Sequence, residues 1–312
     1  MNGRVVVGGD SLVDRIRSAD GTTRDVGGGG QYNAARAIGR LGVPVAFLGC
    51  LSRDALGEGL LRGLIADGVA TDLVTRTDAP TTIAHATIDE RGTASYRFDI
   101  EGTAAPALER AAALRALEPA PVAVHVGTLG LVFQPVADSL EALVAAAPDG
   151  TLVMLDPNAR PSTITQPGVW RARIRRLARR ADVIRASVDD LAFLDDTREP
   201  DVVARDLAEQ GALVLLTDGG RPVRVVTADA QVVELPLQPG PVVDTVGAGD
   251  SFGGAFLAWW LDRGLDRTAL RDPELTGRAT RVARAAAAIT CSRAGADPPT
   301  RAELGDVWGS AG

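Results

Sequence analysis

The pattern that most constrains this chain is an alternation in which short, continuous apolar runs are separated by alanine-rich stretches with helical spacing. The runs are Val5-Val6-Val7, Val45-Ala46-Phe47-Leu48, Val122-Ala123-Val124-His125-Val126, Leu152-Val153-Met154-Leu155, Val183-Ile184 and Leu213-Val214-Leu215-Leu216. Unbroken apolarity is what a strand covered on both faces requires. The patterns at Asn33 to Leu41, Pro135 to Ala147 and Val202 to Gln210 supply the covering helices. The expected fold class is therefore α/β, with a mainly parallel sheet between two helical layers. In such sheets ligands gather beyond the carboxyl ends of the strands.

One segment breaks this rhythm. Between Thr81 and Phe98 polar and apolar residues mix around Asp89-Glu90-Arg91-Gly92, so Ile83 to Ile88 and Ala94 to Phe98 predict a hairpin inserted into the α/β pattern. Leu12 to Ile16, followed by Asp20-Gly21, predicts another strand and turn of the same small sheet. The insertion reads either as edge strands or as a lid that shuts water out of a site. The expected organisation is a core of residues 1–11, 27–70 and 105–312, and a β-lid of residues 12–26 and 71–104.

Composition removes whole classes of chemistry. All 33 basic residues among the 312 are arginine. Without lysine there is no Walker A phosphate loop, no protein-kinase lysine and no Schiff-base enzyme. With His85 and His125 as the only histidines and Cys50 and Cys291 as the only cysteines, no zinc finger or disulfide scaffold can be assembled. Any bound metal is expected to be a hard, oxygen-liganded ion. A net charge of -7 argues against nucleic acid as a partner. The arginine-rich run Arg171 to Arg180, interleaved with Ile174, Leu177 and Ala178, reads as a solvated helix face. No apolar run approaches the ~18 residues of a membrane span, and the amino terminus lacks a signal pattern, so a cytoplasmic protein without a membrane partner is expected.

Two glycine clusters remain. The first, Val26-Gly27-Gly28-Gly29-Gly30-Gln31-Tyr32-Asn33, completes G-x-G-x-x-G in neither frame; its glycines permit close ligand approach or form a loop with no ligand. The second is Asp244-Thr245-Val246-Gly247-Ala248-Gly249-Asp250, leading into an apolar helix. There the backbone N–H groups of Val246 to Asp250 can converge on an anion without lysine, aided by the helix dipole. Asp250, in the first helical turn, is either a cap or a base for a hydroxyl held beside that anion.

This second cluster matches the D-T-x-G-A-G-D signature of the ribokinase-like, or pfkB, carbohydrate kinases, and the chain resembles that family throughout. Gly9-x-x-x-x-Asp14, Gly28-Gly29 with Asn33, Leu41-Gly42, Asp54-x-x-Gly57, His125-Val126-Gly127, Asp156-Pro157-Asn158-Ala159-Arg160, Thr217 and Gly295-Ala296 follow in order. With Arg185-x-Ser187, the pattern looks most like the fructokinase and 2-keto-3-deoxygluconate kinase branch.

The resemblance implies a ribokinase-like fold and ATP-dependent phosphorylation of a sugar's primary hydroxyl, with a ketohexose such as fructose first and a keto-acid sugar, a ribose or a nucleoside as alternatives. It implies Asp250 as general base and the amides of Gly247, Ala248 and Gly249 as an anion hole. Asp14, Gly28, Gly29 and Asn33 would hold sugar hydroxyls, Tyr96 or Phe98 would cap the sugar, and Arg160 would touch substrate or phosphate. For a keto acid, Arg97 or Arg160 would meet the carboxylate. ATP would lie near Thr217, Gly219, Thr245 and the helix ending at Cys291. Mg2+ would be organised through water by Asp190, although Ser187-Val188-Asp189-Asp190 departs from the family's Asn-x-x-Glu and reads equally well as a helix cap. A monovalent cation such as K+ near Asp244 and Gly295, and a homodimer through the lid, complete the expectation. A catalytically silent sugar sensor is the reading from a different class.

Overall fold

Each apolar run becomes a buried strand. The computed structural model describes residues 3–17, 21–88, 94–229, 231–236 and 240–309. Its strands are β1 (Val5–Gly8), β2 (Leu12–Arg17), β3 (Thr23–Gly28), β4 (Val45–Ser52), β5 (Val74–Thr77), β6 (Ile83–Ile88), β7 (Ala94–Asp99), β8 (Ala123–Gly127), β9 (Leu152–Asp156), β10 (Val183–Ser187), β11 (Leu213–Thr217), β12 (Val223–Val226) and β13 (Val232–Leu235). Its helices are α1 (Gly30–Arg40), α2 (Ala55–Ala66), α3 (Arg110–Arg115), α4 (Val136–Ala146), α5 (Pro167–Ala178), α6 (Val188–Leu194), α7 (Pro200–Glu209), α8 (Ala248–Asp262), α9 (Pro273–Cys291) and α10 (Arg301–Gly309).

Nine strands form one sheet in the order β13-β12-β11-β10-β9-β8-β1-β4-β5. The pairs from β11 to β5 are parallel, and β12 and β13 add an antiparallel edge. Alternate side chains of each strand enter opposite layers. Val5 and Val7 pack with Phe47, Met154 and Leu215 among the side chains of α1, α8 and α9, whereas Val6 packs with Leu48, Val124, Leu155 and Leu216 beneath α4, α5 and α7. The alternation in the sequence is thus the signature of a core on both sides of one sheet.

Helix α8 is buried from Asp250 to Trp260, as an all-round apolar helix must be. Trp259 and Trp260 are essentially inaccessible, and truncating side chains of this size typically costs about 3–5 kcal/mol. Gly254 sets the approach of α8 to α1: a Cβ there would stand 2.9 Å from Ala37 Cβ and 3.0 Å from the Ala34 carbonyl oxygen.

The small sheet runs β3-β2-β6-β7. It contains the expected hairpin and the expected strand after Leu12, with β2 parallel to β6. The turn expected at 89–92 lies outside the described residues. The structure moves three boundaries. Val74–Thr77, read with the lid, pairs with β4 in the large sheet. Gly27 and Gly28, read as a ligand loop, are the last residues of β3. Helix α1 starts at Gly30 rather than Asn33, because Gly29 takes φ 104, beside the Asp10 carbonyl, and ends the strand. Arg173, read as part of a solvated face, is buried against Asp138, Glu141 and the Leu131 carbonyl. Among the described residues no helix is long and apolar enough to cross a membrane.

Candidate active site

The carboxyl ends of β1, β8, β9, β10 and β11 lie side by side, and the residues just beyond them meet the amino ends of α1 and α8. A cavity of about 860 Å³ opens there, lined by Asp10, Asp14, Asn33, Asn158, Arg160, Arg185 and Asp250, and by Phe98 from the lid.

Asp250 lies in the first turn of α8 and is 7% exposed. Its Oδ2 accepts from Asn33 Nδ2 at 2.9 Å and its Oδ1 from Asn158 Nδ2 at 3.4 Å. Burial pushes its carboxyl up to about 6, against the pull of Asn33, Arg160 and Arg185. Asn158 holds a left-handed backbone at φ 36, which asparagine tolerates better than most residues, and Arg160 Nη1 donates to its Oδ1 at 2.7 Å. The site therefore keeps a carboxylate largely buried, oriented by two amide groups and titrating within reach of neutral pH, which suits a general base.

Before Asp250 the chain turns at Gly247, where φ is 76 and a Cβ would stand 2.5 Å from that of Ala296. Not all of the expected amide nest is available. Val246 N donates to Asp244 Oδ1 at 3.0 Å and Ala248 N to the Thr245 carbonyl at 3.2 Å, so both serve the turn itself. Among the described residues the Gly247, Gly249 and Asp250 amides meet no protein acceptor and point out of the helix end. Asp244 also ties the turn to the chain after α9, accepting from Gly295 N at 2.9 Å.

On the lid side, Asp14 faces the cavity, and burial with help from Asp10 and Asp250 pushes its carboxyl up to about 6. A Cβ on Gly28 would stand 2.1 Å from Asp14 Oδ2, so Gly28 makes room for that carboxylate. Phe98 lines the cavity, whereas Arg97, one residue earlier, points to the other face of the strand and pairs with Asp99 at 2.5 Å. The side chain of Tyr96 lies outside the described residues.

Thr217 and Gly219 are not among the cavity residues; the Thr217 hydroxyl accepts from Arg185 Nη2 at 3.0 Å and donates to the Ala186 carbonyl at 3.3 Å. Thr245 does line the cavity, with the apolar Val242 and Val243. Asp190 completes a capping box. Its Oδ2 accepts from Ser187 N and Oγ at 2.7 Å, and its Oδ1 from Ala159 N at 2.6 Å. Both oxygens are thus taken by protein donors, and among the described residues no three His, Cys, Asp or Glu side chains converge as a metal cage. Asp190 therefore serves as the cap of α6 and as a tie to the chain after β9. His125 is a core residue: Nδ1 meets the Met154 carbonyl at 3.2 Å and burial pushes the ring down to about 4.

Sequence reasoning missed three contributors. Asp10, just past β1, binds the Thr128 hydroxyl, Gly30 N at 3.1 Å and Gly130 N at 3.3 Å, fixing the start of α1 against β8. Asn158 and Arg185 stood inside motifs used only for resemblance; an arginine within an otherwise apolar strand run was the available signal for Arg185.

The sequence profile described as pfkB family carbohydrate kinase matches residues 3–303. The chain belongs to the pfkB carbohydrate kinase family. This pfkB-family chain is 35% identical over 256 residues to a protein named fructokinase from Rhizobium leguminosarum bv. trifolii, covering 80% of this chain and 77% of that one. The structure of a Xylella fastidiosa fructokinase with bound ATP superposes with a TM-score of 0.90 at 26% identity, over 98% of both chains. A Vibrio cholerae fructokinase variant, described with fructose, ADP and a potassium ion, shares the fold with a TM-score of 0.85 at 24% identity, over 98% of both chains. The ribokinase-like expectation for fold and family is met.

Proposed function

We propose that this pfkB-family kinase transfers the terminal phosphoryl group of ATP to a primary hydroxyl of fructose or a closely related ketohexose. The observation that carries this reading is Asp250: a buried carboxylate held by Asn33 and Asn158, beside three amides at the start of α8 that meet no acceptor among the described residues. The hydroxyl oxygen bonds to the terminal phosphorus as the bond from that phosphorus to its bridging oxygen breaks. The bridging oxygen leaves on ADP with the electron pair, and the hydroxyl proton passes to Asp250. The Gly247 and Gly249 amides and the helix end would meet the charge on the phosphoryl oxygens. Asp14 and Asn33 would orient the sugar, with Phe98 over it, while Thr245, Val242 and Val243 would meet the nucleotide.

Magnesium belongs to the reading as the ATP salt, neutralising phosphate charge, since Asp190 is engaged as a cap. Potassium is the proposed monovalent activator at the Asp244–Gly295 tie, checked by comparing turnover in potassium and tetramethylammonium salts. The small sheet would close as a lid over the sugar, and a homodimer through its edge strands β3 and β7 is proposed, checked by light scattering. A cytoplasmic setting follows from ATP as co-substrate.

A keto-acid substrate is disfavoured by the cavity's charge. Its carboxylate would enter among Asp10, Asp14 and Asp250, with exposed Arg160 and buried Arg185 as the cations lining the cavity and Arg97 turned away. An ADP-release assay with fructose, 2-keto-3-deoxygluconate, ribose and adenosine tests the reading. Fructose is expected to exceed the keto acid in kcat/KM by at least about tenfold. Sugar binding without ATP consumption would instead identify a sensor.

A further inference from the structure

Arg185, in the middle of β10, has no role in the reading above. It is 8% exposed, yet it lines the cavity. Guanidinium carries five donor N–H groups. Nη1 meets Asp156 at 3.3 and 3.4 Å, Nη2 meets Thr217 at 3.0 Å, and Nε is buried without a partner among the described residues. The other arginine buried among the described residues, Arg173, is gripped by two carboxylates and a carbonyl. Arg185 has one carboxylate within hydrogen-bonding reach, Asp156, and that at long range; Asp190 and Asp250 act on it from further off, and burial pushes the Asp156 carboxyl up to about 7.

The guanidinium also lies flat against the start of α8. A Cβ on Gly249 would stand 2.6 Å from both Nη1 and Nη2. Glycine at that position therefore seats a cation against the first turn of α8, where the amides of Gly247, Gly249 and Asp250 meet no acceptor among the described residues.

We propose that Arg185 is a catalytic residue that donates to the oxygens of the transferred phosphoryl group, the fixed charge that a lysine-free chain places against the first turn of α8. The bonds made and broken are those given above; Arg185 exchanges no proton and stabilises charge throughout. This deepens the kinase reading and rests on it.

The test compares wild type, Arg185→Met and Arg185→Lys by steady-state kinetics and by calorimetric titration with ADP, and with ADP plus fluoroaluminate, in the presence of fructose. Removing one such donor typically costs ~10²–10³ in kcat. The Met variant is expected to lose about that much and a similar factor in fluoroaluminate affinity, while ADP affinity and the KM for fructose stay within about threefold. The Lys variant is expected to recover roughly tenfold or more. A folded Met variant with kcat within about threefold of wild type overturns the proposal. So does an acid limb that moves upward in pH with fluoroaluminate affinity unchanged, which would assign Arg185 to the tuning of Asp250. Should Arg185→Met not fold because Asp156 is left alone, Arg185→Met/Asp156→Asn decides by the same readouts. Wild type that consumes no ATP with any sugar defeats the kinase reading by itself, and the Arg185-dependence of fluoroaluminate binding still decides the anion role.

Discussion

Asn33 donates to Asp250 at 2.9 Å across 217 positions of sequence, from the first turns of α1 to the first turn of α8. One helical turn further along each helix stand Ala37 and Gly254, where the two helices pack too closely for a Cβ on residue 254. The bond that orients the base therefore depends on a helix crossing that only glycine at 254 permits.

Gly254→Val should force α1 and α8 apart and lengthen the Asn33–Asp250 bond. Overpacking of this kind costs about 1–3 kcal/mol, and the structure places the loss beside the base, so kcat should fall by more than about tenfold in protein that still folds. Thermal denaturation together with kcat checks this. An unchanged kcat in a destabilised variant would separate the crossing from catalysis.

Asp250→Asn should lower kcat by roughly 10²–10⁴ and leave sugar affinity nearly unchanged. It should also stabilise the fold. The native carboxyl titrates near 6 against an ordinary 3.8, so the folded state binds this proton more tightly than the unfolded one. Its contribution to stability is present at low pH, declines as pH rises from about 4 to 6, and is absent above that. Asparagine carries no such ionisation cost, so the melting temperature at pH 7.5 should rise, by an amount on the order of 1–3 kcal/mol in stability. Lower stability of the variant at that pH would contradict the burial argument.

The same titration should appear in catalysis. Asp250 must be ionised to accept a proton, so kcat/KM should rise with pH through about 6 and level off above it. Asp14 titrates in the same range and interacts with Asp250, so the apparent value belongs to the pair. A profile flat from about pH 5 to pH 8 would remove a buried carboxylate from the rate-determining proton transfer.

Asp190→Ala should act on stability before chemistry. It removes the reciprocal cap on Ser187 and leaves Ala159 N without its acceptor. A lost cap costs about 0.5–2 kcal/mol, visible as a lower melting temperature, with the Mg2+ concentration giving half-maximal rate changed by less than about threefold. A large rise in that concentration would restore Asp190 to a metal role.

The parallel sheet was legible because a strand buried on both faces must be apolar throughout, and runs such as Val5-Val6-Val7 and Leu213 to Leu216 are short, β-branched or apolar, and alternate with helical stretches. The start of α8 was legible for a similar reason, since small residues before a buried helix point to a turn at φ 76 that excludes a Cβ. The strand Thr23–Gly28 was not, because half of it is exposed and its glycines look like loop. The metal role expected of Asp190 came from the family resemblance, in a spacing that also suits a cap, and the tertiary structure shows the cap through Ser187 and a tie to Ala159. What the sequence determined by itself is local: strand period, helix ends, and the residue types for an anion and a proton. What tertiary structure alone decided is convergence. Arg185 seated on Gly249, and Asn33 on Asp250, are contacts between segments distant in the chain, and their geometry comes from how helices and strand ends pack rather than from any pattern along them.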